Sequence, residues 1–195
     1  MNIVEAYIKF NKQLIIAISG ISGCGRINLS KDIERDFNLK LIDLYDFYDL
    51  DHEETVQIKD KTIINWYKQE AFNWDKFNEY VNKNKNKGIV LVGLCFPDDK
   101  IDFIIDSHIF VGRDKKECLE KRQEFIKRNK ETYKYEYNNL DFEKTKFNKL
   151  EFPFVLEMQK KSKIDKFVNA TELTSSQVYD SIYEYLIVLI QKKLK

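Results

Sequence analysis

Ile18-Ser19-Gly20-Ile21-Ser22-Gly23-Cys24-Gly25-Arg26-Ile27 is the stretch whose reading decides the fold of this chain. Ahead of it, Leu14 to Ser19 is a short apolar run, which predicts a buried strand. Behind it, Arg26 to Phe37 is expected to be a helix. A strand, a glycine-rich turn and a helix, in that order, form the context of a phosphate-binding loop. Gly20 and Gly25 stand at the required spacing. Glycines let the backbone curl so that successive N–H groups face inward. The helix N-terminus adds a partial positive charge. The nucleotide-binding candidates are therefore Gly20, Ser22, Gly23, Cys24, Gly25, Arg26 and Ile27. A dinucleotide-binding fingerprint is excluded, because no glycine follows Gly25 at the third position that it requires.

Two positions depart from the phosphate-loop pattern. Arg26 stands where a lysine reaches the outer phosphates, and its planar fork is bulkier than an ammonium. Ile27 stands where a hydroxyl ligates Mg²⁺, and isoleucine has no ligand atom. Cys24 lies close to a helix start, a position that lowers thiol pKa values.

Working outward, short apolar runs alternate with amphipathic stretches, the pattern of a parallel α/β sheet. Strands are expected over Leu39–Leu44, Ile89–Leu94, His108–Val111 and Ile164–Val168. Helices are expected over Thr62–Phe72, Trp74–Asn84, Asp114–Arg128 and Thr174–Leu194, with Thr132–Gln159 mostly helical and interrupted by Pro153. The run Asn82 to Lys87 reads as a solvated helix end.

The 195 residues fit one domain, and a hydrophobic share of 43% with 14 Phe and 11 Tyr suffices for a core. A net charge of +1 gives no argument for nucleic acid. Three cysteines without metal spacing argue against a disulfide framework or a structural zinc, and for a reducing compartment. The first residues lack the apolar core of a secretory signal, and Leu186 to Ile190 is too short to span a bilayer. A cytoplasmic protein with no membrane association is expected; oligomeric state is not legible.

The loop residues look like those of uridine kinases and nicotinamide riboside kinases, and further landmarks follow in that family's order. Tyr45-Asp46-Phe47-Tyr48 is similar to the acidic-aromatic motif after the second strand. Asn73-Trp74-Asp75 is similar to a Trp-Asp region before a helix, and Ile89 to Gly93 sits where the family has a strand ending in Glu-Gly. Asp106 to Val111 resembles the next strand, and Arg122 falls among lid arginines. The resemblance covers roughly residues 14–168. It implies an α/β P-loop NTPase-like three-layer fold, with a mostly parallel five-stranded sheet and helices on both faces. It also implies one domain over residues 1–195, with a helical lid within about 113–160.

By the same resemblance, ATP would donate a phosphoryl group to a nucleotide or small-molecule ribose substrate. The family's base position falls on Tyr45; a shift of one residue would make Asp46 the catalytic base, or Asp43 upstream, and Tyr48, Trp74 and Asp75 would bind substrate. The family's first motif carboxylate falls on Tyr45, its strand-end glutamate on Val92, and its metal hydroxyl on Ile27. These correlated departures imply a degenerate member that binds phosphate or nucleotide with weak or no transfer and holds Mg²⁺ poorly. The alternatives are an active divergent kinase using Asp46, with Asp43 or Asp49 helping the metal, and a protein-interaction module. The interaction reading rests on the aromatic run from Tyr133 to Phe154, whose plainer reading is a helical lid packed on the sheet.

Overall fold

The computed structural model describes residues 2–194. Its first strand, β1 (Ile15–Ser19), has all five residues buried. Such a run needs cover on both faces and partners on both edges. It pairs in parallel with β5 (Ile89–Gly93) on one side, Ser19 opposite Gly93, and with β6 (Ser107–Gly112) on the other. β2 (Lys40–Asp43) and β7 (Lys166–Asn169) complete a parallel sheet of order β2-β5-β1-β6-β7.

This order places the helices. The chain leaves β1 through α2 (Arg26–Phe37) toward β2, then returns through α3 (Trp74–Asn84) to β5 and runs the other way to β6. Parallel crossovers are right-handed, so reversing direction puts α2 and α3 on opposite faces. α1 (Ile3–Asn11) and α8 (Ser175–Lys193) pack with each other, and α8 also packs on α2. The reversal occurs beside β1. The loop after β1 therefore lies at the switch point of the sheet, where open α/β folds bind ligands.

Most expected elements are present within a residue or two. Three differ. Thr62–Phe72 is not a helix: Lys61–Ile64 is β4, hairpin-paired with β3 (Thr55–Ile58), and a 3₁₀ turn covers Gln69–Ala71. The β-branched Thr62, Ile63 and Ile64 suit a pleated strand with one face against protein. The N-terminal segment, given no element from sequence, is α1, closed by a capping box between Asn2 and Glu5 and held by buried Val4 and Tyr7.

The third difference lies between β6 and β7. α4 (Lys115–Arg128) is followed by α5 (Lys134–Asn138), α6 (Leu140–Lys146), a π-helical stretch Phe147–Glu151 and α7 (Phe152–Lys160). Pro153 does not interrupt this run. It sits in the first turn of α7, and the π-helical stretch immediately before it replaces the i→i−4 ladder that its missing N–H would break. Phe142, Phe147 and Phe154 are buried, so most of the aromatic run packs inward, while Tyr135 and Tyr137 remain exposed.

His108, buried in β6, ties this sheet edge together. Its Nδ1 faces the Lys163 carbonyl at 3.0 Å, which only accepts, so Nδ1 carries the proton. Nε2 then accepts from the Ser19 hydroxyl at 2.7 Å. Burial pulls its pKa from 6.5 down to about 4. The folded state thus disfavours the imidazolium, and the unfolded chain takes up the proton first as pH falls. Stability should decline from about pH 6.5 toward pH 4, by ~1.4 kcal/mol per unit at its steepest. Denaturant unfolding at pH 7, 6 and 5 should show a smaller decline for His108→Gln than for the parent. Equal slopes would remove His108 as the cause.

Candidate functional site

The glycine loop has the backbone shape that its sequence implies. Gly23 has φ 88°, and a Cβ there would lie 2.1 Å from the Cys118 carbonyl oxygen of α4. Gly25 has φ 99° with open space around it, and caps α2 without any side-chain hydrogen bond. The first amides of α2 therefore have no capping partner, which is the arrangement that receives an anion. Cys24 is buried, and its thiol pKa is pushed up by burial rather than lowered by the helix start. It is a packing residue.

The side chains around the loop are arranged differently from a kinase site. Arg26 is only 3% exposed and donates to the Tyr45 hydroxyl at 3.0 Å, with its Nε unpartnered. Burial works against its charge, and the carboxylates of Glu151 and Asp43 favour it. Burial raises the pKa of Tyr45 to about 12, so this phenol is neutral at pH 7 and cannot serve as a base. Asp43 accepts from the Tyr45 amide at 3.0 Å, and burial raises its pKa. Asp46 lies on the exposed side of the 3₁₀ turn Leu44–Phe47. Of the two carboxylates, Asp43 is the one whose field reaches Arg26.

The loop backbone has the curl expected of a phosphate cradle, but Ile27 offers Mg²⁺ no ligand atom. Ile27 exposes 41% of its surface at the expected hydroxyl position. Asn28 is exposed along α2, and the Ser30 hydroxyl is fully buried without a partner. Val92 lies within β5, in register with both Ile18 and Asp43, and is 1% exposed.

Two of the three expected substrate residues, Tyr48 and Trp74, are packed against other aromatic rings. Tyr48 stacks on Tyr45 and Phe72 and leans on Trp66. Trp74 donates its indole N–H to the Gln69 carbonyl at 2.7 Å. The space beside it, lined by Leu44, Phe72, Cys95, Phe154 and Met158, amounts to about 10 Å³, no more than one water would need. Asp75 is exposed on the first turn of α3.

The group at the centre of the site, Glu151, is not among the residues that sequence reasoning singles out. Glu151 is 1% exposed. Its Oε1 accepts from the Ser22 amide at 2.9 Å, inside the glycine loop. Its Oε2 accepts from Arg122 at 2.9 Å and from the Tyr67 hydroxyl at 3.2 Å. Arg122 uses its other terminal nitrogen on Glu143, at 3.1 Å, and Lys146 donates to the same carboxylate at 2.7 Å. Residues eight apart on a regular α-helix diverge by about 80°. The π-helical stretch absorbs roughly one residue, so Glu143 and Glu151 stand two turns apart on nearly one face, with ~20° of drift. Neither glutamate carries a sequence signal amid so many charged residues, and a π turn leaves none.

No family model matches this chain, and no curated protein matches it. Solved structures do. An uncharacterized protein from Eubacterium ventriosum ATCC 27560 aligns at TM-score 0.50 and 18% identity, covering 90% of this chain and 99% of that one. A gluconokinase from Sinorhizobium meliloti 1021 aligns at TM-score 0.50 and 8% identity, covering 92% and 93%. At such identities the likeness concerns the fold. The chain has a P-loop NTPase-like α/β fold built on a parallel five-stranded sheet, and it is similar to these two structures in fold alone. Among the described residues no helix is long and apolar enough to cross a membrane.

Two predictions follow from the packing here. Gly23→Ala adds a methyl against the Cys118 backbone at positive φ and should lose at least about 2 kcal/mol in denaturant unfolding, while Gly25→Ala, strained only in φ, should lose about 1 kcal/mol. Arg122→Ala leaves buried Glu151 without its cation, while Glu143 keeps Lys146, and should cost roughly 3–5 kcal/mol. Arg128→Ala, which breaks an exposed pair with Glu124, should cost under about 1 kcal/mol in the same assay.

Proposed function

We propose that this chain is a degenerate nucleoside-kinase-like P-loop protein, which keeps a backbone site for phosphate or nucleotide and transfers phosphoryl groups weakly or not at all. The observation that carries this reading is the 3.0 Å hydrogen bond from Arg26 to Tyr45. By the resemblance to uridine and nicotinamide riboside kinases, these positions would hold the cation at the γ-phosphate and the catalytic base. Here they engage each other. A guanidinium donating to a phenol is less available to phosphate. A phenol with a pKa near 12 does not take a proton from a ribose hydroxyl at pH 7.

Phosphoryl transfer depends on positioning and on charge neutralisation by metal and cation. Each lost contact of this kind is worth about 10²–10³ in rate. Ile27, Tyr45 and Val92 together remove a metal ligand, a base and an acidic strand end. ATP remains the ligand that the loop would take, through the amides of residues 20–27, with Mg²⁺ held poorly. The chain is read as one domain over 1–195, with residues 113–160 as a lid carrying Arg122. Three buried, unpaired cysteines suit a reducing, cytoplasmic setting.

The second reading is an active divergent kinase. It is favoured by Asp43, whose carboxyl sits in the field of Arg26 and has a pKa raised by burial. In that case Asp43 rather than exposed Asp46 would approach a substrate hydroxyl.

ADP release by the purified chain, with ATP, Mg²⁺ and a panel of nucleosides and ribosides, should stay at background. Turnover in the ordinary kinase range of about 1–100 s⁻¹ would overturn the proposal. Loss of such turnover in Asp43→Asn, but not in Asp46→Asn, would establish the second reading.

A further inference from the structure

A carboxylate as deeply buried as that of Glu151 costs several kcal/mol unless donors replace its water. Arg122 and the Tyr67 hydroxyl satisfy Oε2. Oε1 is satisfied by a backbone amide of the glycine loop, Ser22, which lies 129 residues earlier in the chain. That amide is two residues past Gly20, within the run whose N–H groups converge on phosphate oxygens in loops of this kind. An anion therefore already sits at the loop, and the chain itself supplies it.

The surrounding contacts hold it there. Arg122 clamps Glu151 to Glu143 from α4. The β3–β4 hairpin reaches the same helices: Lys59 pairs with Asp141, and Lys61 donates to Asn139 at 3.0 Å and lies over the Phe142 ring at 5.0 Å. Tyr67, just beyond the hairpin, completes the ring of donors. Two segments on either side of the loop thus meet over it, and Glu151 is where they converge on it.

We infer that Glu151 is an internal occupant of the phosphate loop, its carboxylate taking the place of a phosphate oxygen, so that a phosphate chain gains the loop only by displacing residues 140–160. This deepens the functional reading above and rests on its assignment of residues 20–27 as a phosphate loop. The ligand class is a polyphosphate chain. The bond to the Ser22 amide is what ties Glu151 to the loop.

Inorganic tripolyphosphate is the suitable probe, since it carries the phosphate chain without a base and needs no nucleoside pocket. Calorimetric titration of the full chain should give weak binding for the parent. Glu151→Gln keeps the size and removes the charge, and should bind at least about tenfold tighter, the change expected when one charge-assisted contact of ~1.4 kcal/mol no longer competes. Glu151→Asp, one methylene shorter, keeps the charge for Arg122 but draws it back from Ser22, and should also bind more tightly, by a smaller factor. It provides the test should the glutamine variant not fold. Affinity equal to that of the parent in whichever folded variant is titrated would overturn the inference. So would parent binding that leaves the hydrogen-exchange protection of the Ser22 amide and of residues 140–160 unchanged. The titration reads binding without turnover, so its failure removes the internal occupant alone, and ADP release decides the functional reading separately.

Discussion

The buried charge of Glu151 constrains everything around the loop. A carboxylate removed from water has to collect donors, and here they come from three parts of the chain: the loop amide of Ser22, Tyr67 beyond the hairpin, and Arg122 on α4, whose other terminal nitrogen donates to a second glutamate, Glu143. Each donor anchors its own element. The hairpin, the helices between β6 and β7, and the glycine loop are mutually fixed by one side chain, because leaving any of these groups unpaired at such burial would cost more than a surface contact returns. The π-helical stretch fits the same constraint. It takes up one residue so that both glutamates face one arginine.

The same economy of charge explains the cation beside the loop. Arg26 is buried at the first position of α2, at the positive end of the helix, which is no place for a cation without an anion. Tyr45 supplies a neutral acceptor at 3.0 Å, and Asp43 and Glu151 supply the compensating field. The cation and the phenol beside the loop thus satisfy each other. Arg26 and Tyr45, 19 residues apart in the sequence, are a matched pair in space. The arginine donates to the tyrosine, and the carboxylates of Glu151 and Asp43 offset its charge.

The framework was largely legible beforehand. Ile15 to Ser19 and Ile89 to Gly93 are continuous apolar runs, which only a strand covered on both faces accommodates, and the alternation of strands with helical stretches implied the parallel sheet. The glycine spacing placed the loop, and the positive φ at Gly20, Gly23 and Gly25 agrees with it. The hairpin was missed because Thr62, Ile63 and Ile64 carry apolar residues without enough length to separate a period of two from one of 3.6. Helix α1 was passed over because a nine-residue helix with two buried residues draws its stability from packing rather than from its own pattern. Arg122 was singled out, but its partners were not, since a glutamate in a lysine-rich helix looks alike whether it faces water or an arginine.

By itself the sequence determined the order of elements, the apolar faces that form the sheet, and the turn at residues 20–25, because these depend on local periodicity and on which residues tolerate a left-handed backbone. It also determined that residue 27 has no hydroxyl and that residues 45 and 92 have no carboxylate. The tertiary structure alone decided how the groups around the loop are partnered. That Tyr45 receives Arg26, that Asp43 rather than Asp46 lies in its field, and that Glu151 closes on Ser22 from 129 residues away are outcomes of three-dimensional proximity and burial. Such pairings are set by which charges are forced out of water together, a condition that no linear spacing records.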